Sequence, residues 1–357
     1  MALERMTVAV ASYQRRDPLL RLLRGLDAQL AADGALREDL SVVVVLDGST
    51  DGSREAVEGE RWSVPVDVRW QPNRGLAAAR NVGLAAAAGG LVWFLDDDLV
   101  PGPGLVARHR HAHGAGPPGV VVGPCRIPPD VAAPAPLVRW WDEFYRELAA
   151  VGTIDRFDRF TTANASGPAA LFSAVGGFDE SFVEYGLEDY ELAVRLLAAG
   201  TPLRFDVDAV AWHPDVPPMP VLLARQRAIG ANAVRLARRH PQMIPELFPL
   251  RRGNPYRRLL RDLRLRRPRS LMAMCHLASW VRGGLGWAHP EIRRHAESLA
   301  RTAAQTAGVA SADPDGALLD RMLGYRDGAR PRRSRSRARA SRQPATSPTS
   351  SDNVISR

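Results

Sequence analysis

The chain has 357 residues, 45% hydrophobic and 24% charged, so it is not a wholly disordered protein. With only two cysteines, Cys125 and Cys275, a disulfide framework is excluded and a cysteine-built zinc site is disfavoured. The net charge of +9 is local: Gly328 to Arg357 holds eight arginines and one aspartate, Arg251 to Arg269 holds nine and one, and outside the terminal segment the net is only +2.

In chain order, the first hundred residues alternate strand and helix signals. Thr7–Ala11 is a short apolar run. Pro18–Ala32 carries leucines at 19, 20, 22, 23, 26 and 30, close to helical spacing. Ser41–Leu46 is almost all valine, the pattern of a parallel strand buried on both faces. A short helix at Asp51–Glu58, a strand at Val66–Trp70, an alanine-rich helix at Leu76–Ala88 and a strand at Leu91–Leu95 follow. Such units predict a parallel sheet with helices on both faces. A strand at Val120–Val122 and a helix at Trp140–Leu148 come next. Glu188–Leu197 is strongly helical, Gly200 ends it, and a last strand runs from Leu203 to Trp212. After Pro220 the pattern is helical, with an amphipathic Val221–Arg239, and beyond Gly328 the Arg/Ser/Pro/Thr-rich chain is expected to be disordered. The expected organisation is a catalytic α/β domain at 1–218 (halves at about 1–100 and 117–218), a helical extension at 219–327 and a tail at 328–357.

Ligands of open α/β sheets bind beyond the carboxyl ends of the strands. That rule singles out Ala11–Arg15, Asp47–Gly52 and Asp96–Asp98. Three consecutive aspartates repel one another, which disfavours a plain turn and suits a hard divalent cation. Glu188 and Asp189 open a helix, where the dipole favours anions; their ordinary use is as an N-cap. His109, His111 and His113 suggest a metal cluster, but only 109 and 113 share a helical face, and a solvated helix is the better reading.

The motifs together resemble glycosyltransferase family 2. They are Asp47-Gly-Ser-Thr-Asp-Gly-Ser after the valine strand, Asn73-Arg-Gly-Leu-Ala-Ala-Ala-Arg80-Asn81-Val-Gly, Phe94-Leu-Asp96-Asp97-Asp98, Gly176-Gly-Phe-Asp-Glu-Ser-Phe and Glu188-Asp189-Tyr-Glu-Leu. The match covers roughly residues 5 to 215 in the family's order. It implies a GT-A fold, an α/β mainly parallel sheet with helices on both faces, and sugar transfer from a nucleotide donor with inversion. By the same resemblance Asp189 is the catalytic base and Glu188 contacts an acceptor hydroxyl. Asp98 and His213 hold a divalent metal, Mn2+ or Mg2+. Ser12, Tyr13, Asp47, Arg80, Asp96 and Asn164 contact the nucleotide-sugar donor, expected as a UDP-sugar. Arg80 serves equally well as a helix-surface arginine, and Trp140 and Trp141 could stack on a sugar or pack in the core. The sequence departs from the family at Leu46, where a second acid commonly precedes Asp47.

Leu271–Val281 is too short for a bilayer span of about 20 residues, and no leader pattern precedes the first strand. A cytoplasmic protein is the simplest reading, with residues 251–269 a candidate contact for the inner face of the membrane and no specific nucleic-acid partner. The rival hypothesis is a basic membrane- or nucleic-acid-binding protein whose GT-A-like core binds a nucleotide without catalysis.

Overall fold

The structure, a computed structural model, describes residues 5–114, 118–131, 135–244, 247, 259, 267–284, 290–316 and 318–319, with the backbone alone for 135–142 and 290–294. Four parallel strands form one side of its sheet: β1 (Met6–Ser12), β2 (Leu40–Asp47), the edge strand β3 (Val66–Gln71) and β4 (Leu91–Leu95). Helices α1 (Arg16–Ala32), α2 (Ser53–Glu58) and α3 (Leu76–Ala86) connect them. With β6 (Val120–Val122), β8 (Asn164–Pro168) and β9 (Leu203–Phe205) they make a seven-stranded sheet of order β3-β2-β1-β4-β8-β6-β9. β8 runs antiparallel to both its neighbours, β4 and β6.

Alternation along β4 divides the core between the two faces. Leu91, Trp93 and Leu95 pack with the leucines of α1 and with Leu105 and Val106 of α4 (Leu105–Gly114). Val92 and Phe94 point the other way, and Phe94 meets Phe172 and Phe178 edge-on at 5.3 and 5.2 Å. Each such buried side chain contributes about 1.5–3 kcal/mol. Helices α5 (Ala135–Val151), α6 (Ala169–Ala174) and α7 (Glu188–Ala198) belong to the second half.

The structure departs from expectation in three places. The last strand is broken: the Asp206 carboxylate accepts from the Asp208 amide at 3.0 Å, and this turn parts β9 from β10 (Ala211–Trp212). β10 leaves for a small sheet of order β5-β10-β7, with β5 (Val100–Pro101) and β7 (Cys125–Arg126). Asn164–Pro168 is a central strand, not the lining of a pocket, and its small side chains are buried between sheet and helix. The histidines on α4 are not a solvated set, although His111 is exposed. His109 is fully buried and stacks on Trp93 at 4.4 Å. Its Nε2 faces Asn164 Oδ1 at 2.8 Å, and its Nδ1 and the Nε2 of His113 each meet Ser166 Oγ at 2.7 Å. The amide oxygen can only accept, so the neutral ring donates from Nε2 and accepts the Ser166 hydroxyl at Nδ1.

The C-terminal helices are α8 (Met219–Arg239), α9 (Pro268–Gly284) and α10 (Pro290–Ala312). α8 and α10 meet backbone to backbone at Gly230 and Gly308. A Cβ on Gly230 would lie 2.0 Å from the Gln305 carbonyl, and one on Gly308 1.9 Å from that of Arg227. α8 is fastened to the α/β core at its far end, where His240 Nε2 and Arg239 Nε approach the buried Glu191 of α7 at 3.0 and 3.4 Å. Most of the basic stretch 251–269, and all of the tail 328–357, lie outside the described residues. Among the described residues no helix is long and apolar enough to cross a membrane.

Candidate active site

Because β1, β2 and β4 are parallel, the loops after them emerge on one edge of the sheet. Side chains knit those loops together. The Gln14 amide donates to Ser49 Oγ at 3.0 Å, Gln14 Nε2 to Thr50 Oγ1 at 3.0 Å, and the Arg16 amide to Asp51 Oδ2 at 2.8 Å.

Asp98 and His213 meet through strand register. Antiparallel pairing sets Trp212 opposite Val100, so the next residue of β10 and the residues just before β5 come together. Asp98 Oδ2 lies 3.5 Å from His213 Nε2. The His213 amide also donates to the Arg126 carbonyl at 2.7 Å, which holds the segment in place. Burial opposes ionisation of Asp98, but His213 and Arg15 outweigh it and hold the carboxyl below its ordinary range. At Asp97 burial prevails over the pull of Arg15, Asp98 adds to it, and the carboxyl is pushed up to about 7.

The second cluster is built on Arg80. This α3 residue is buried, not a surface arginine. It donates to Asp96 Oδ1 at 2.8 Å and to Glu188 Oε1 at 2.7 Å, with its guanidinium 5.6 Å from the centre of the Phe178 ring. One side chain therefore ties the Asp96–Asp98 loop to the start of α7. Asp189 follows Glu188, hemmed in by protein but partly open to solvent. Burial, and then the charge of Glu188, pushes its carboxyl up to about 8 against the pull of Arg80. The acids at 96, 98, 188 and 189 and His213 thus gather at one end of the sheet. Glu188 itself is buried, and its bond to Arg80 leaves less of the carboxylate for an acceptor hydroxyl than expected.

Two expected donor contacts are used inside the protein. The Asp47 carboxylate is buried and accepts from Gln71 Nε2 at 2.7 Å, the Arg74 amide at 2.9 Å and the Gly75 amide at 2.8 Å. It shapes the turn after β3, where Gly75 (φ +92°) passes so near Val183 that a Cβ would sit 2.9 Å from its carbonyl. Asn164 is fully buried, accepting from Trp93 Nε1 at 3.1 Å and donating to the Ala209 carbonyl at 2.8 Å. Its position in β8, with sheet on both sides, makes it a core residue. Ser12 ends β1 buried, whereas Tyr13 beside it is half exposed. The side chains of Trp140 and Trp141 lie outside the described residues.

Three residues in or beside the site were not legible in the sequence. Arg15 closes the loop after β1 and pairs with Asp98, and with Asp97 at 3.3 Å. Its place in a loop at the carboxyl edge was the available signal. The other two come from α8. Asn232 Nδ2 lies 3.1, 3.5 and 2.7 Å from the carbonyls of Glu184, Tyr185 and Gly186. It thereby holds the chain entering Leu187, whose φ of +76° is strained for a side chain and which sets the start of α7. Arg225 lies over the Tyr185 ring at 4.7 Å. Neither carried a motif.

Residues 7–174 match the model of glycosyl transferase family 2, and residues 142–207 that of the N-terminal domain of galactosyltransferase. Validoxylamine A glucosyltransferase of Streptomyces hygroscopicus subsp. jinggangensis is 34% identical, over 68% of this chain and 63% of its own length. The pre-mycofactocin glycosyltransferase of Mycobacterium tuberculosis is 32% identical, over 56% of this chain and 43% of its own. The chain thus spans less than two thirds of the length of these curated relatives. A mannosyltransferase of Pyrobaculum calidifontis, solved with GDP-Man and Mn2+, superposes with a TM-score of 0.51 at 23% identity, over 66% of this chain and 64% of that one. The likeness is one of fold, the GT-A fold, and the sequence matches give the narrower conclusion: residues 7–174 of this chain belong to glycosyl transferase family 2.

Proposed function

We propose that the protein transfers a sugar from a nucleotide-sugar donor to an acceptor hydroxyl with inversion, assisted by a divalent cation. The observation that carries this reading is the bridge through Arg80, which sets an acidic donor edge (Asp96–Asp98) against a carboxylate with a raised pKa (Asp189). The named activities of the relatives support the same class, and an Mn2+ complex of the mannosyltransferase supports a metal.

Asp98 and His213 would hold a divalent ion by two ligands, the donor's diphosphate oxygens supplying others; among the described residues no third His, Cys, Asp or Glu joins them, and Arg15 also pairs with Asp98 Oδ2. A carboxylate oxygen and an imidazole nitrogen 3.5 Å apart can share one ion at about 2 Å from each, and both ligand types suit Mn2+. When bound, the ion would neutralise charge on the donor's diphosphate. The rest is the work of the chain's own groups. Asp189 takes the proton of the acceptor hydroxyl, and the hydroxyl oxygen bonds to the anomeric carbon as the bond from that carbon to the diphosphate breaks. The raised pKa makes Asp189 a stronger base than an ordinary aspartate, at the cost of being mostly protonated near neutrality. Glu188 and Arg80 fix the start of α7 and so aim Asp189. The donor's base and sugar belong to this proposal, with UDP-sugars the first choice. Residues 251–269 suit acceptors carried on an anionic membrane.

Transfer is measured against a panel of nucleotide sugars and hydroxyl acceptors, with Mn2+, Mg2+ or chelator. Asp189→Asn and Asp98→Ala should each lower turnover by about 100-fold or more, and chelator should do the same. Full activity in both variants would refute the site.

A further inference from the structure

The helix that carries Asp189 lacks the usual means of holding its start. α7 has Leu187 at its N-cap, with φ +76°, and no side chain caps its first turn. Gly186 before it also has a positive φ, +90°. Glycine accepts that conformation freely and leucine does not, so the pair stays bent only where its surroundings hold it. The Asp189 side chain has little grip of its own: among the described residues its hydrogen bond comes from the amide of its neighbour Tyr190, at 2.9 Å. Where the carboxylate points therefore follows the backbone of the first turn. That backbone is held from α8. Asn232 is buried, at 1% exposure. Its Oδ1 accepts from Arg235 Nη1 at 2.7 Å, which turns the two Nδ2 hydrogens toward the carbonyls of residues 184–186, nearest to that of Gly186 at 2.7 Å. The Gly186 carbonyl belongs to the peptide plane that enters Leu187, so fixing it fixes the φ of Leu187. Gly186 also lies against α8, where a Cβ would come 2.9 Å from Ile229 Cγ1, one turn before Asn232. α8 is itself fixed, by α10 at Gly230 and Gly308 and by Glu191 of α7.

We propose that Asn232 is a positioning residue for the transfer reaction, acting through Asp189: the helical extension holds the 184–187 loop and so aims the base. The inference rests on the function proposed above. Proton abstraction needs the carboxylate within about 3 Å of the acceptor hydroxyl, and a displacement of about 1 Å costs a large factor in rate. Asn232 acts on the base and not on the donor, so its loss falls on turnover more than on donor binding. The α/β core alone then carries the base without the part that aims it.

The full chain is compared with Asn232→Ala, Asn232→Asp, Arg235→Leu and, as a control on the exposed side of α8, Arg227→Gln, each well below its melting temperature. Asn232→Ala should lower kcat by about 30-fold with donor KM within about threefold of wild type. The limb of kcat/KM near pH 8 should also move toward acid by at least about 0.5 pH unit, as Asp189 gains solvent. Asn232→Asp keeps the shape but presents an acceptor to the carbonyls, so it should lose at least as much; a packing role alone would make it the milder change. Arg235→Leu leaves Asn232 in place with its amide free to turn and should lower kcat about threefold, which decides the matter if the direct variants do not fold. Arg227→Gln should behave as wild type. An unchanged kcat, an unmoved limb, or Asn232→Asp milder than Asn232→Ala overturns the proposal. If the wild type transfers no sugar at all, the function fails separately and hydrogen exchange decides Asn232. The amides of residues 187–191 should then exchange at least about 10-fold faster in Asn232→Ala, and equal rates overturn its role.

Discussion

Arg80→Met tests the centre of the site. Methionine keeps much of the stem's volume and its contact with Phe178 but removes the cation between Asp96 and Glu188. Three carboxylates, at 96, 188 and 189, are then left facing one another with Asp189 already raised. Breaking a buried pair by deleting one partner costs about 3–5 kcal/mol. For a domain of this size that is roughly 6–20 °C in melting temperature. The loss has a signature in pH. Without Arg80 these carboxylates face one another with no counter-ion, so protonation favours the folded state. The deficit should therefore be small at pH 5 and grow toward pH 8. Adding Glu188→Gln removes one of the opposed charges and should restore at least about 1 kcal/mol at pH 8. Thermal and urea melts of the three proteins at both pH values measure this. A deficit below about 1 kcal/mol, or one equal at pH 5 and pH 8, would show that Arg80 is not the counter-ion of the cluster.

The buried titratable groups supply two more tests. Burial pushes His109 down to about 3 and His113 to about 4, so the folded state resists protons that the unfolded state accepts below about pH 6.5. Stability is present above that pH and lost below it, by about 2 kcal/mol for His109 alone at pH 5. Melts at pH 7.5 and 5 should show it, with a smaller drop in His109→Gln; parallel drops would dismiss the role of the ring. For Asp189 as base, kcat/KM should rise with pH on a limb near 8 instead of near 4, because the deprotonated form is the active one. Glu188→Gln should move that limb at least about one pH unit toward acid, and an unmoved limb would assign it to another group.

Much of the nucleotide half is legible in the amino-acid sequence. The valine run of β2 and the apolar run of β4 are buried on both faces and so need no partner-specific pattern. Their parallel order then puts the loops at 11–15, 47–52 and 96–98 on one edge. The acids of the site can be named because hard cations and proton transfer restrict the residue types that will serve. What the chain cannot reveal on its own is which bonds those side chains make. Asp47 and Arg80 sit in motifs of equal clarity, yet one carboxylate is used to fold a turn while the guanidinium joins the Asp96–Asp98 loop to the start of α7. β8 is hidden because a strand with sheet on both sides and helix above can be built from Asn, Ala, Ser and Gly, which carry little strand preference. The histidines of α4 read as solvent-facing because helical period tells which residues share a face, but not what that face meets. Asn232 lies far along the chain in a helix that reads only as amphipathic. Its role arises when Gly230 and Gly308 let α8 and α10 close to backbone contact and Glu191 receives the end of α8. Local sequence determines which elements form and which chemistry they carry, because period and residue type act over a few neighbours. Long-range packing alone decides which charges meet, because a side chain's partner is set by the distance between atoms in the folded molecule.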